Sequence, residues 1–468
     1  MKLLLPIVFV LCCGVSTAQF GPQQIISNTA QGSFRVIPYD MNNDGFMDVV
    51  GASNDSWKIA WFENLDGQGN FSAERVINTT AITIDGLEMV DIDDDGDMDI
   101  LYKTSYQDKI AWMENLDGLG TFGPERLVAD TNYPYTISTA DIDSDGDMDI
   151  FANVYHNGFF NRLVWYENVD GLGNYSSENV IEIGDFYIST LLNFDLDNDG
   201  DLDLITSYES YGPSQIIWYE NLDGQGGFSE SQEIYQFDYF SDWVSIHNLS
   251  YSDINGDGKI DLLVETYHED FTSNIFWLEN LDASGTFSDP QHIHTLETTL
   301  GSLRSYDLDN DEDNDILVSF FFSSNYTSIA WFENTDGLGD FGSKQIISTQ
   351  VVRARDATAA DLNSDGSLDV ISASSNDNKI AWYANLNLGV SENTQNNFIT
   401  YPNPVKEFVS IFPQDQIASV ALSDEIGQRI EVHLENNIMD LSGLASGVYF
   451  LKISGRDGAI EIQKIIKR

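Results

Sequence analysis

One acidic phrase recurs seven times along the chain and decides what it can fold into. The phrase has Asp or Asn at positions 1, 3 and 5, usually Gly at 6, and Asp at 9; its copies begin at Asp40, Asp91, Asp141, Asp195, Asp253, Asp307 and Asp361. The intervals are 51, 50, 54, 58, 54 and 54 residues, the fixed period of a repeat architecture. Each copy is followed by a phrase of the type Ile-Ala-Trp-Phe-Glu-Asn, whose tryptophan recurs at Trp61, Trp112, Trp165, Trp218, Trp277, Trp331 and Trp382. A third element, a turn followed by an aromatic residue, begins as Asp66-Gly67-Gln68-Gly69-Asn70-Phe71 and recurs at Asp117, Asp170, Asp223, Asp282 and Asp336.

Each unit reads as four short strands. The first ends at the acidic phrase and the second begins at its ninth residue; the third carries the tryptophan and the fourth follows the Asp-Gly turn. β-Branched and aromatic residues between Gly, Asn and Asp punctuation favour strands, and no segment sustains a 3.6-residue apolar period. Four strands every ~50 residues, seven times over, predict an all-β fold with a seven-bladed β-propeller. The ends predict how the ring closes. The seventh unit stops after its third strand at Trp382-Tyr383-Ala384-Asn385, whereas Phe20-Gly21-Pro22-Gln23-Gln24-Ile25-Ile26-Ser27 matches the fourth-strand phrase Phe122-Gly123-Pro124-Glu125-Arg126-Leu127-Val128-Ala129. The N-terminal strand is therefore expected to complete the last blade, with Phe20, Ile25 and Ile26 on its packed positions.

The chain has 468 residues, with 21 Lys+Arg against 76 Asp+Glu, a net charge of −55. That charge excludes nucleic acid and anionic membrane surfaces as partners and favours cations. Residues 1–18 read as a signal peptide: Lys2, an apolar run from Leu3 to Leu11, then small residues to Ala18. A lipoprotein acylated at Cys13 is the competing reading. The only cysteines are Cys12 and Cys13, so the mature chain is expected to lack thiol chemistry and disulfides. No later segment is long and apolar enough to be a transmembrane helix.

Hard oxygen ligands at alternate positions around a turn glycine suit Ca²⁺. The expected ligands are Asp40, Asn42, Asp44 and Asp48; Asp91, Asp93, Asp95 and Asp99; Asp141, Asp143, Asp145 and Asp149; Asp195, Asp197, Asp199 and Asp203; Asp253, Asn255, Asp257 and Asp261; Asp307, Asp309, Asp311 and Asp315; and Asp361, Asn363, Asp365 and Asp369. An EF-hand needs Glu at position 12, which is absent from all seven copies. Two carboxylates ~4 Å apart repel by roughly 4 kcal/mol at an effective dielectric near 20, which favours up to seven bound ions over bare solvated charge. A site repeated in every blade is expected to be structural. In the sixth loop Glu312 replaces the glycine, which puts the turn in question.

These phrases resemble the FG-GAP or VCBS repeat family, best known from integrin α-subunit propellers, over roughly residues 20–387. The resemblance implies Ca²⁺ on the hairpin loops at positions 1, 3, 5 and 9 of each copy. The Phe-Gly and Gly-Pro elements survive only in part, which places the chain nearer the bacterial VCBS branch.

Residues 19–387 are thus expected to form the propeller and the polar stretch 388–398 a linker. From residue 399 the acidic phrases stop, and an alternating β pattern runs from Tyr401-Pro402-Asn403-Pro404 through Gly447-Val448-Tyr449-Phe450 to the basic end Lys464-Ile465-Ile466-Lys467-Arg468. Residues 399–468 look like the type A C-terminal sorting domain of type IX secretion, an Ig-like β-sandwich. An ordinary adhesion-type sandwich is the alternative. The resemblance implies that type IX machinery is a partner and that the protein is secreted or held on the outer surface.

The face away from the acidic loops is rich in non-repeated aromatics. Tyr155, His156, Tyr211, Trp243, Tyr267 and His268 are candidate ligand contacts, for a glycan or protein bound without catalysis. The alternative is an enzyme such as a polysaccharide lyase, with its base and charge neutralisers drawn from His156, His247, His268, Arg304, Arg353 and Arg355. No spacing singles out a catalytic set among them.

Overall fold

The computed structural model describes residues 19–468, apart from 79–82, 158–159, 210–212, 238–243, 322–327 and 387–398 and, further on, 402–404, 407, 413–416, 425–428, 431, 433, 436–437, 445–446, 456–459 and 468. The expected signal peptide and linker lie outside the described residues. All described elements are strands and turns. The chain divides into two compact units, residues 1–387 and 388–468.

The first unit holds seven four-stranded antiparallel sheets. Blade one runs outward from Ser33–Tyr39 through Asp48–Ser53 and Lys58–Phe62 to Arg75–Asn78. The innermost strands of the next six blades are Gly86–Val90, Pro134–Ala140, Leu191–Phe194, Val244–Ser252, Leu300–Tyr306 and Ala354–Ala360. Each lies beside the innermost strand of the next blade, and Ala354–Ala360 lies beside Ser33–Tyr39, so the ring is closed. Neighbouring blades cover both faces of the second strands, and all six residues of Asp48–Ser53, Asp99–Thr104, Asp315–Phe320 and Asp369–Ser374 are buried. That explains why these segments are continuous apolar runs after the acidic phrase, whereas the half-exposed outer strands alternate.

The seven repeat tryptophans are all buried. Six lie under the fourth residue of the next blade's turn, a glycine each time. At Gly69, φ is +74°, and a Cβ there would fall 2.1 Å from the Trp382 ring, so only glycine fits. The same glycine–tryptophan pairing joins Gly120 to Trp61, Gly173 to Trp112, Gly226 to Trp165, Gly285 to Trp218 and Gly339 to Trp277.

The N-terminal strand Gln24–Ser27 pairs with Lys379–Tyr383 and forms the outer strand of blade seven. Closure continues before it: Phe20 bridges Asn385, and the Gly21 N–H donates to the Ala384 carbonyl at 2.7 Å. Phe20 is buried and Ile26 packs against the blade seven core, but Ile25 is 48 % exposed, contrary to the expectation for it. A bulge between Ile25 and Ser27 shifts the register, and the equivalent Val76, Leu127, Val180 and Ile346 of other blades are exposed as well.

The second unit comprises two four-stranded sheets. One contains Ile399–Tyr401, Phe408–Phe412, Leu434–Glu435 and Ile438–Asp440; the other contains Ile417–Asp424, Arg429–Ile430, Gly447–Gly455 and Ile460–Lys467. Val409, Ile411 and Met439 from the first and Leu422, Leu451, Ile453 and Ile465 from the second share one buried core.

Candidate metal centres and the opposite face

Each acidic phrase forms the hairpin loop between the first and second strands of its blade. Two residues per loop take left-handed backbone. The fourth position, where φ runs from 54° to 69°, holds Asn43, Asp94, Ser144, Asn198, Gly256, Asn310 or Ser364, mostly types that tolerate this conformation. The sixth is glycine in six loops, with φ between 84° and 102°. Glu312 takes up the same turn at φ 75°, so the sixth loop keeps its shape at the cost of a strained residue.

Side-chain oxygens then gather the backbone of the loop. Asp40 accepts the N–H of Asp44 at 3.1 Å and of Gly45 at 2.7 Å. The bond from the sixth-position N–H to the first aspartate is present in all seven loops, including Glu312 to Asp307 at 3.1 Å. The result is a concentration of carboxylate. One oxygen from each of Asp91, Asp93 and Asp99 lies within 4.8 Å of the others, and the same holds for Asp141, Asp143 and Asp145, for Asp195, Asp197 and Asp199, and for Asp307, Asp309 and Asp311. The first, fifth and seventh loops carry Asn at the third position and so have one carboxylate fewer.

Burial, and then the charge of its neighbours, raises the carboxyl groups of Asp93, Asp143 and Asp197, and takes Asp309 to about 6. Oδ1 atoms of Asp91, Asp93 and Asp143 are buried with no hydrogen-bond partner. Buried acceptors that face only other acceptors fit a cation, so these clusters could hold a metal ion.

The ninth aspartate has a second task. Asp48, Asp99, Asp149, Asp203, Asp261, Asp315 and Asp369 are buried to 1 % exposure or less. Oδ2 of each accepts the N–H of the loop's second residue, as from Met41 to Asp48 at 3.1 Å. Oδ1 accepts the N–H of the asparagine that closes the tryptophan phrase, as from Asn64 to Asp48 at 2.6 Å. Burial outweighs these bonds and pushes the Asp48, Asp99, Asp149, Asp203 and Asp369 carboxyls up to about 7, Asp261 to about 6 and Asp315 to about 8.

That asparagine also reaches the preceding blade. Asn64 Nδ2 donates to the Leu362 carbonyl at 2.8 Å, Asn168 to Ile92 at 2.8 Å, Asn221 to Ile142 at 2.9 Å, Asn334 to Ile254 at 2.8 Å and Asn385 to Leu308 at 2.7 Å. Each acceptor is the second residue of the neighbouring acidic loop, so loop and blade interface are one hydrogen-bonded unit. Sequence reasoning missed this asparagine and the glutamate before it. Glu114, Glu167, Glu220 and Glu333 add negative charge to the third loop position of their own blades, while Asn42 donates to Glu63 at 3.2 Å. The signal was present, because both residues stand at fixed distances from the tryptophan; blade seven alone departs, with Ala384 in the glutamate position.

The other end of the ring is built from residues that do not repeat. The starts of all seven innermost strands line a cavity of about 1000 Å³, joined by Lys103, Glu209 and Phe321 from the ends of second strands. It continues into a second space of about 570 Å³ past Arg35, Glu88 and Arg304. Lys103 pairs with Asp85 at 2.9 Å. Arg304 reaches Asp356 at 2.8 Å. His247 bonds Thr299 through Nδ1 at 2.9 Å, and Thr299 donates to the buried Glu265 at 3.0 Å. Of the residues weighed for an enzyme, His247, Arg304 and Arg355 line this cavity, and His156, His268 and Arg353 do not.

Four of the six expected ligand contacts fall among the described residues. Tyr155 and His156 are half-buried on the second strand of blade three. Tyr267 stacks on His247 with ring centroids 4.8 Å apart, one layer behind the cavity wall. His268 bonds Asn274 at 2.9 Å and Thr266 at 3.1 Å. None of the four lines the cavity, and Tyr211 and Trp243 lie outside the described residues.

Residues 18–102, 195–264, 253–318 and 307–372, more than half of the chain, match the FG-GAP-like repeat family. Residues 400–468 match the secretion system C-terminal sorting domain family. No curated protein matches the chain. Solved structures with a similar course include Saccharomyces cerevisiae Sqt1, at 10 % identity and a TM-score of 0.45, covering 78 % of this chain and 99 % of that one. The Cps50 (Swd1) β-propeller domain of Myceliophteria thermophila is 12 % identical with a TM-score of 0.46, covering 77 % and 99 %. The V. cholerae biofilm matrix protein Bap1 is 11 % identical with a TM-score of 0.39, covering 79 % and 89 %.

Proposed function

The chain belongs to the FG-GAP-like repeat family, and from that premise we propose that it is a calcium-braced propeller acting outside the cell as a non-catalytic binding module. The sorting domain at 400–468 marks it for type IX export to the surface or medium. The proposed ligand is a glycan or a protein, taken at the cavity on the face away from the acidic loops.

One observation carries the reading: the two ends of the ring are built on different rules. The acidic end repeats one constellation seven times, which suits a structural role. The opposite end gathers unlike residues from seven blades into one concavity, and asymmetric chemistry in a symmetric frame suits recognition. Bound Ca²⁺ would supply positive charge to loops that otherwise repel themselves. The chain's own residues do the rest. The ninth aspartate fixes the loop to the third strand, and the closing asparagine ties its blade to the acidic loop of the preceding one. The sixth-position amide holds the first aspartate toward the cluster.

His247, Arg304 and Arg355 at the same cavity favour one second reading, a lyase acting on an acidic polysaccharide. A glycan array together with a lyase assay on the purified chain separates the two. Binding without turnover is the expected result; reproducible turnover abolished by His247→Ala would overturn the non-catalytic reading.

A further inference from the structure

Resting on the reading that this cavity takes a ligand, we infer that its corner between blades six, seven and one is a subsite for the acid group of an acidic sugar, held by Arg355, Arg304 and Arg35. The chain has 76 acidic and only 21 basic residues, yet three arginines converge on one corner of one cavity. Arg304 and Arg35 share a single carboxylate, Asp356, at 2.8 Å and 3.9 Å. Asp356 is 2 % exposed, and its Oδ2 also accepts the Val36 N–H at 3.0 Å. Glu88 is the second carboxylate that acts on Arg35, so the third arginine of the corner, Arg355, is the one left in excess. Burial depresses Arg35 below the usual arginine range; Asp356 and Glu88 oppose this and the charge of Arg304 adds to it. An anion arriving from the cavity would offset the repulsion among the arginines.

Arg355 forms no ion pair among the described residues. Its guanidinium stands 4.3 Å from the centre of the Phe321 ring, and Arg353, in left-handed backbone at φ 57°, stands 4.6 Å from the same ring. A guanidinium pinned on an aromatic face keeps its fork free for a planar acid. Gly301 brings the two corners together, because a Cβ there would fall 2.4 Å from the Ala354 carbonyl oxygen and 2.7 Å from that of Arg355.

The far wall asks for the opposite chemistry. Glu209, on blade four, accepts from Ser245, and its carboxyl is raised chiefly by burial. Such an acceptor suits hydroxyl donors. A ligand with one acid group at one end and hydroxyls at the other is a sugar acid rather than a polyanion, which a protein of net charge −55 would repel over the rest of its surface.

The test is isothermal titration of the full chain, in calcium-containing buffer, with a disaccharide ending in glucuronate, with its methyl ester, and with a tripeptide bearing a free carboxylate. The acid should bind at least tenfold tighter than the ester. Arg355→Gln should remove that preference without changing the melting temperature, and Arg355→Lys should restore part of it. Since Arg304→Gln also breaks a buried pair, Arg355→Gln is the deciding variant. Equal binding of acid and ester, or a preference that Arg355→Gln leaves intact, would overturn the acid subsite while leaving the binding-module reading in place. Tighter binding of the tripeptide, or no binding of the glucuronate disaccharide, would overturn the ligand class. Loss of all glycan and protein binding on an array would defeat the parent reading itself.

Discussion

Phe20 stands edge-on to Trp331, with ring centroids 6.3 Å apart and planes at 76°. In the other six blade junctions the tryptophan meets a turn glycine of the following blade. Among the described residues no turn glycine of blade seven covers Trp331, and the N-terminal segment supplies an aromatic ring there. Around it, the Leu386 N–H donates to the Gln19 carbonyl, and Gln19 Nε2 donates to the Leu308 carbonyl at 2.8 Å. The two ends of the propeller sequence are therefore held by packing and by backbone hydrogen bonds at one junction.

Phe20→Ala should cost about 3–5 kcal/mol, the usual range for removing a buried phenylalanine. Deleting residues 19–28 should cost more, because it also exposes the edge of Lys379–Tyr383. Ile25→Asp should be nearly neutral, since Ile25 is 48 % exposed, whereas Ile26→Asp should destabilise. Urea melts of the four variants check this; a Phe20→Ala protein as stable as the parent would mean that the ring is closed by other contacts.

Glu312→Gly should stabilise the protein by about 1 kcal/mol, the strain of a non-glycine residue in left-handed backbone less the entropy that glycine adds to the unfolded chain. The gain should appear as a higher denaturation midpoint with an unchanged slope. A lower midpoint would show that the glutamate carboxylate contributes to the sixth loop.

Asp149→Ala removes the acceptor of two buried N–H groups, those of Ile142 and Asn168. At about 1–3 kcal/mol for each buried group left without a partner, the loss should be evident with and without calcium. Asp145→Ala, on the exposed rim of the same loop, should matter only when calcium is present. Equal behaviour of the two variants under chelation would contradict the separate roles of the fifth and ninth positions.

The architecture was legible because a repeat reports itself. The acidic phrases, the tryptophans and the orphan fourth strand at Phe20–Ser27 name the blades and their closure without any coordinates. Ile25 was misread because a bulge turns the strand, and nothing in a four-residue strand announces it. The cavity was illegible for the opposite reason. Arg35, Glu88, Glu209, His247, Arg304 and Arg355 are far apart in sequence and share no spacing; only ring closure brings them together. The aromatic candidates were chosen for their place between the repeated phrases, and that place does not say which side chains reach the axis.

Removing residues 399–468 should leave the propeller folded and block its passage out of the cell, because its matched family is a secretion sorting domain and its core is separate. Fractionation of the native type of host, with a chain ending at Asn387, checks this. Accumulation of that chain in the medium would contradict the sorting role.

Calcium is the centre of the account. Each site held at 100 times its dissociation constant adds ~2.7 kcal/mol to folding stability, and extracellular sites of this chemistry work at ~10⁻⁴–10⁻³ M. The direct measurement is native mass spectrometry of the purified chain in millimolar calcium, paired with melting before and after a chelator. Several and up to seven ions per chain are expected, lost on chelation together with a clear fall in melting temperature. A chain that carries no calcium and melts at the same temperature with and without the chelator would contradict this expectation.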